Sequence, residues 1–244
     1  MATKISLATN TKPDGSEGQA LLVYNGAPAW SSSLITGWTT LAGTYAYVSA
    51  STFTIVGDYT TVFTTGVKLM LNNTTTKYFY VLSSTYSAPN TTVTVTGGSD
   101  YSLANLAVTA VNISHLTAPS GFPDWFNYAP ALAGWSSAPA TAVYKFRIDG
   151  RKVMVVVKQA GAATSDQLYL IIPAPVTAAT VTSATWGACC WAATDSGTAV
   201  TAPARAYIGS AGTNITCTKD LTGVTNSWTA SGTKLVNFQL EYEI

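Results

Sequence analysis

The strongest constraint on this chain is a series of short runs of alternating residues, each closed by turn chemistry. Residues 45–48, 52–56, 67–71, 77–82, 91–96 and 107–111 are rich in Val, Thr and aromatic side chains, which suit a pleated, half-buried backbone. Gly57 with Asp58, Asn72 with Asn73, Pro89 with Asn90 and Gly97 with Gly98 separate them. Runs this short at regular spacing predict a compact antiparallel barrel or sandwich and leave no room for a parallel sheet with crossover helices.

A second series begins at Thr141. Residues 143–148 and 153–158 predict a hairpin across Asp149 and Gly150, followed by strands over 167–172, 179–186, 205–208, 214–218 and 235–244. Eight or so strands in roughly 100 residues fit a jelly-roll-like sandwich. Between the two series lies T-A-P-S-G-F-P-D-W-F-N-Y-A-P, residues 117–130. Its prolines keep the backbone out of helix while Phe122, Trp125, Phe126 and Tyr128, with Pro123 among them, call for burial. It reads as a packed junction.

The fold class expected is therefore all-β: two small antiparallel sandwich or barrel domains, the C-terminal one jelly-roll-like, preceded by an extended N-terminal arm. The boundaries are an arm over 1–36, a first domain over 37–116, the junction over 117–140 and a second domain over 141–244. The arm has turn chemistry at residues 12–18 and one short apolar strand over 19–24. Leu21, Val23, Tyr24 and Trp30 are its assembly residues, expected to lie on another subunit or a neighbouring protein; packing back on the chain's own body is the alternative.

Only 9% of the residues are charged while 47% are hydrophobic, so the polar surface must be built largely from hydroxyls and amides. Such a surface can be covered by another protein without desolvating ions. With 12 basic and 11 acidic residues and no run of either sign, nucleic acid is not an expected partner. No apolar run reaches the roughly 20 residues of a membrane span, and the first residues lack the apolar core of a secretory signal, so a cytoplasmic, unprocessed product is expected. Cys189, Cys190 and Cys217 lack the C-x-x-C spacing and read as reduced, mostly core thiols.

No catalytic or metal-ligating set is expected, and no cofactor. The single histidine, His115, stands without a second imidazole or a nearby carboxylate in sequence and reads as structural. The chain carries no G-x-S-x-G, phosphate-loop or H-E-x-x-H motif. Of the acids, Asp58, Asp100 and Asp149 lie at or near glycines and read as turn residues, and Asp124, Asp166, Asp195 and Asp220 read as loop residues. A pair of them assembled by folding is the remaining route to a glycan hydrolase. Trp135 and Trp191 are the candidates for a glycan platform, alongside Trp30 and Trp125, since exposed aromatic rings stack on sugars; the alternative place for each is the core.

Trp38, residues 45–47 and 52–55, Gly57 with Asp58, Phe63, residues 66–68, Lys77 with Tyr78, Val81, Ser84, Tyr86 with Ser87, residues 91–95 and Leu103, followed by Gly121, Phe122 and Pro123, resemble a module of structural proteins of tailed bacteriophage virions, including tail fibres and other appendages. Trp228, Gly232 and the long final run from Lys234 are similar to the trimeric heads that end phage fibres. The resemblance implies a non-enzymatic virion structural protein: a short homotrimeric fibre or appendage, assembled in the bacterial cytoplasm and attached to the particle by its arm. Its partners would be copies of itself, other virion proteins, and a host-surface glycan or protein. The alternatives are a capsid decoration protein that cements the head and, from another class, a carbohydrate-binding module or glycan hydrolase.

Overall fold

A computed structural model of the chain describes residues 20–24, 27–31, 36–132, 139–162, 169–201, 203–221, 228–229 and 231–244, the first two stretches as backbone. The described residues form an all-β structure of several antiparallel sheets, with no helical element and no closed barrel among them. Trp135 of the expected glycan platform lies outside the described residues.

The arm forms a small sheet of its own. Strands β1 (Ala20–Tyr24) and β2 (Ala27–Ser31) pair antiparallel from Ala20 opposite Ser31 to Tyr24 opposite Ala27. The sequence reading found the first strand and missed the second, because Pro28 removes a backbone donor. Proline is tolerated in a two-stranded sheet, where every strand is an edge.

The first body is one seven-stranded sheet containing β3 (Thr39–Thr40), β4 (Tyr45–Ser49), β5 (Thr52–Val56), β6 (Lys68–Asn73), β7 (Thr75–Ser87), β8 (Asn90–Thr96) and β9 (Thr109–Ser114), in the order β3-β9-β6-β7-β8-β5-β4. Its two edges, β3 and β4, are joined by only residues 41–44. Flat, those edges would stand about 29 Å apart at the usual strand spacing, yet the connection spans about 17 Å at most. The sheet must therefore curl strongly, and it stops short of a barrel because β3 and β4 do not pair. Phe53, Ile55, Phe63, Leu69, Leu71, Phe79, Val81, Val93 and Val95 fill the inside of the curl.

The open end is plugged by one buried amide. Asn73 Nδ2 donates to the carbonyls of Ala104, Leu106 and Ala107, and its Oδ1 accepts from Ala104 N and from Lys77 Nζ. This pins the loop between β8 and β9 and satisfies every polar atom of the buried amide.

The second body is a sandwich. One face contains β10 (Phe126–Asn127), β11 (Thr141–Asp149), β12 (Lys152–Ala162), β15 (Ala192–Asp195), β16 (Thr198–Ala199) and β19 (Thr233–Glu243), and the other β13 (Tyr169–Pro173), β14 (Thr185–Cys189), β17 (Arg205–Gly209) and β18 (Asn214–Thr218). The pairs β12 with β19, β13 with β18, β14 with β17 and β15 with β16 are nested, as in one long hairpin rolled up in jelly-roll fashion. Alternation is clean where sequence reading saw it: Val153, Val155 and Val157 on β12 and Val236, Phe238, Leu240 and Tyr242 on β19 point inward. The strand expected over 179–186 instead starts at Thr185, and residues 179–184 form a connection.

The two bodies meet backbone to backbone. Gly66 (φ +85°) lies so close to the Gly150 carbonyl that a Cβ there would overlap it, and Gly98 (φ +61°) has the same relation to the Asn127 carbonyl. Gly150 itself has open space around it. We expect Gly66→Ala to lower stability by about 3 kcal/mol or more through steric separation of the bodies, whereas Gly150→Ala, strained only by its φ of +59°, costs about 1–2 kcal/mol; paired urea unfolding curves check this asymmetry.

Candidate functional site

The seam carries most of the residues that the sequence marked. Phe126 and Tyr128 are buried, with Phe126 paired in register opposite Phe146 as part of the sandwich sheet. Phe122 and Pro123 are half-buried. Phe122 contacts Tyr80 (centroids 5.0 Å apart), Phe126 (5.5 Å), Tyr78 (5.9 Å) and Trp38 (6.0 Å). Rings from both bodies thus form one continuous stack, each edge-on pair worth about 0.5–1.5 kcal/mol beyond its buried area. Trp125, expected to be buried, is only half-buried, with the Arg147 guanidinium 5.1 Å from its ring centroid.

Beside this stack is a cavity of about 120 Å3 lined by Tyr80, Phe122, Asp124, Arg147 and Asp149, among others. Lys68, 4% exposed, has its Nζ 5.6 Å from the Tyr80 ring centroid and 5.8 Å from that of Phe122, two of the rings that line it. Burial pushes the Lys68 ammonium below its ordinary range, and Asp149 partly opposes that. Burial also pushes the Tyr80 hydroxyl up to about 12, with Arg147 pulling against it and Asp149 and Asp124 adding to it. The lining thus sets one cation, Arg147, against two carboxylates, Asp124 and Asp149, and the phenol beside them stays protonated at neutral pH.

Of the aromatic platform candidates, Trp191 is 66% exposed, just before β15 and anchored by its N–H to the Asn237 carbonyl. On the outer face of the smaller sheet, Arg205 stacks on Tyr207 with its guanidinium 4.7 Å from the ring centroid, in space that a side chain at Gly187 would narrow. Of the three thiols, expected to be mostly core, Cys189 is exposed because it occupies an outward position of β14. Cys190 is half-buried, burial raising its thiol to about 12, and Cys217 is fully buried. His115 is exposed just beyond β9.

The site that sequence reading missed is ionic. Asp195, expected in a loop, ends β15 and is 7% exposed. Its carboxylate accepts from Lys234 Nζ (2.9 Å) and Lys219 Nζ (2.7 Å) and from the hydroxyl and N–H of Thr229. Lys234, 0% exposed, also donates to Thr229 Oγ1 and the Ser231 carbonyl, so all three of its N–H groups are used. A signal was present: Lys234 falls in phase with Val236, Phe238, Leu240 and Tyr242, so alternation alone put a lysine inside. The arrangement is a closed ion cluster that braces the end of the sandwich.

Among the described residues, no group of three His, Cys, Asp or Glu side chains comes together to hold a metal ion, and no helix is long and apolar enough to cross a membrane. No family model matches the chain, nor does any curated protein or solved structure.

Burial pushes the Asp195 carboxyl up, but the hydrogen bonds from Lys219, Lys234 and Thr229 outweigh it and hold the group well below the ordinary carboxylate range. A depressed folded value means that the cluster's stabilisation is present above the unfolded carboxylate pKa of about 3.9 and is lost as pH falls through the folded value. Urea unfolding at stepped pH should show that loss below about pH 4. Asp195→Ala, which removes the carboxylate from the fully buried Lys234, should cost about 3–5 kcal/mol at neutral pH and remove that part of the acid dependence.

Proposed function

We propose that the protein is a non-enzymatic structural component of a tailed-bacteriophage virion, a short homotrimeric fibre or appendage that docks through its arm and contributes to host-surface attachment. The observation that carries this reading is the β1–β2 hairpin, which among the described residues pairs only with itself. A lone two-stranded hairpin is marginally stable in water and leaves both outer edges unpaired. Covering those edges is work for another chain.

Two further features support the reading. The low charge lets subunit faces be buried without stranding ions, and cyclic symmetry would close such contacts without leaving a free edge. The locked seam gives a rigid body suited to transmitting attachment force from a distal surface to the particle. Assembly would take place in the bacterial host cytoplasm, with the virion as destination.

Light scattering behind a sizing column is expected to give a mass near three times 25.5 kDa, and Leu21→Asp with Val23→Asp to shift the protein to monomer while its circular dichroism stays β-rich. A wild-type monomer at micromolar concentration overturns the trimer, and if that monomer binds intact capsids it identifies a decoration protein instead. Antibody labelling of particles in electron micrographs locates the protein on tail, collar or capsid.

A further inference from the structure

A second cleft on the seam, of about 490 Å3, is lined by Phe63 and several hydroxyls from the first body and by one cation from the second. Thr60, Thr64 and Thr65 come from the loop between β5 and β6, Ser83 and Ser84 from β7, and Arg151 from the turn between β11 and β12. We propose that this cleft is a binding site for a carboxylated saccharide, with Arg151 receiving the carboxylate and the hydroxyl wall receiving the sugar hydroxyls. The proposal deepens the host-attachment reading and rests on it for its biological use, though the cleft's chemistry is independent of where the protein sits.

Three observations lead there. The volume lies in the range of small-ligand sites, about 300–1,000 Å3. The lining contains no carboxylate, and Arg151 is its one charged side chain, so an anionic group is the complementary partner. A guanidinium binds a carboxylate through two parallel hydrogen bonds, which a lysine cannot reproduce. Hydroxyls both donate and accept, as sugar hydroxyls do.

The groups are also held in place. Arg151 Nε donates to the Ile244 carbonyl (3.0 Å) and Ile244 N donates back to the Arg151 carbonyl (2.9 Å), leaving four guanidinium N–H groups. The residue follows Gly150, whose carbonyl abuts Gly66, so the cation and the wall share one rigid contact. Gly66 N donates to Val81 O and Val67 N to Thr64 O, tying the loop to β7. The Thr65 hydroxyl donates to Leu82 O and that of Thr60 to Asp58. Thr64, Ser83 and Ser84 make no side-chain hydrogen bond among the described residues and are free to meet a ligand. Asp58, outside the lining, accepts from the Thr60 N–H and hydroxyl.

Calorimetry and amide-shift titration of the full-length protein with digalacturonate, its methyl ester and sodium acetate test this. Saturable digalacturonate binding in the millimolar range is expected, weakened about tenfold or more in the methyl ester and in Arg151→Gln, with Arg151→Lys intermediate. Thr64→Val with Ser83→Ala, at exposed positions without internal hydrogen bonds, should weaken both saccharides and shift amides around the cleft. The proposal is overturned by absence of saturation at about 10 mM, by Arg151→Gln binding as wild type does, or by acetate binding as tightly as the saccharide. Binding by a protein that is monomeric and absent from virions would sustain the cleft and defeat the virion reading. A virion-borne trimer without binding would do the reverse.

Discussion

The rest of the structure depends on two places where main chain meets main chain with no side chain between. At Gly66 against Gly150 and at Gly98 against Asn127 the curled sheet and the sandwich approach closer than any Cβ would allow. The second contact is reinforced by Ser99 N donating to Asn127 O, and by Asn127, whose N and Nδ2 both donate to the Asp100 carboxylate. Close approach brings Tyr80 of the first body into the hydrophobic core of the second, so the two bodies share apolar burial and do not merely touch. Interfaces between ordinary domains are more polar and permit relative motion. Here the aromatic stack and the glycine contacts hold the two bodies together, and the two seam cavities described above inherit their shape from that contact.

The same economy of charge appears inside the sandwich. A buried ion cluster is seldom a net source of stability, because each ion has been taken from water. What the Asp195 cluster supplies is specificity: Lys234 has three acceptors in one arrangement, and a one-residue slip of β19 against β12 would carry the lysine to the outside and Leu235 inward. The cluster therefore fixes the register of the longest strand pairing in the sandwich, Lys152 opposite Glu243 through Ala162 opposite Thr233.

What the sequence made legible follows from how local each signal is. Strand alternation is a property of consecutive residues, so β5, β8, β12 and β19 could be read directly, and so could the turn at Asp149 and Gly150. Strands β10, β15 and β16 could not, because each has two to four residues and exists only because a longer neighbour offers an edge to pair with. The curl of the first sheet was hidden for the same reason: it depends on which strands become the edges, and only then does the short connection over residues 41–44 acquire meaning. Asp195 looked like a loop acid because its lysines lie 24 and 39 positions away. Thr64, Ser83 and Arg151 had nothing in common until the seam placed them around one cleft.

Charge is scarcer on the outside than the composition suggests. Lys68, Lys234, Asp195 and Asp220 are all buried, from a total of only 23 charged residues, the 12 basic and 11 acidic ones. Of the remainder, Lys152 and Glu241 neutralise each other at 2.8 Å. The exterior is consequently held in water mainly by threonine, serine and backbone, with apolar side chains such as Val48, Val56, Leu106 and Leu116 more than half exposed among them. Such a surface has little electrostatic repulsion to keep copies apart and little desolvation cost when they meet. On a surface with so few charges, an arginine among threonine and serine hydroxyls stands out as a recognition element, since no carboxylate lines its cleft.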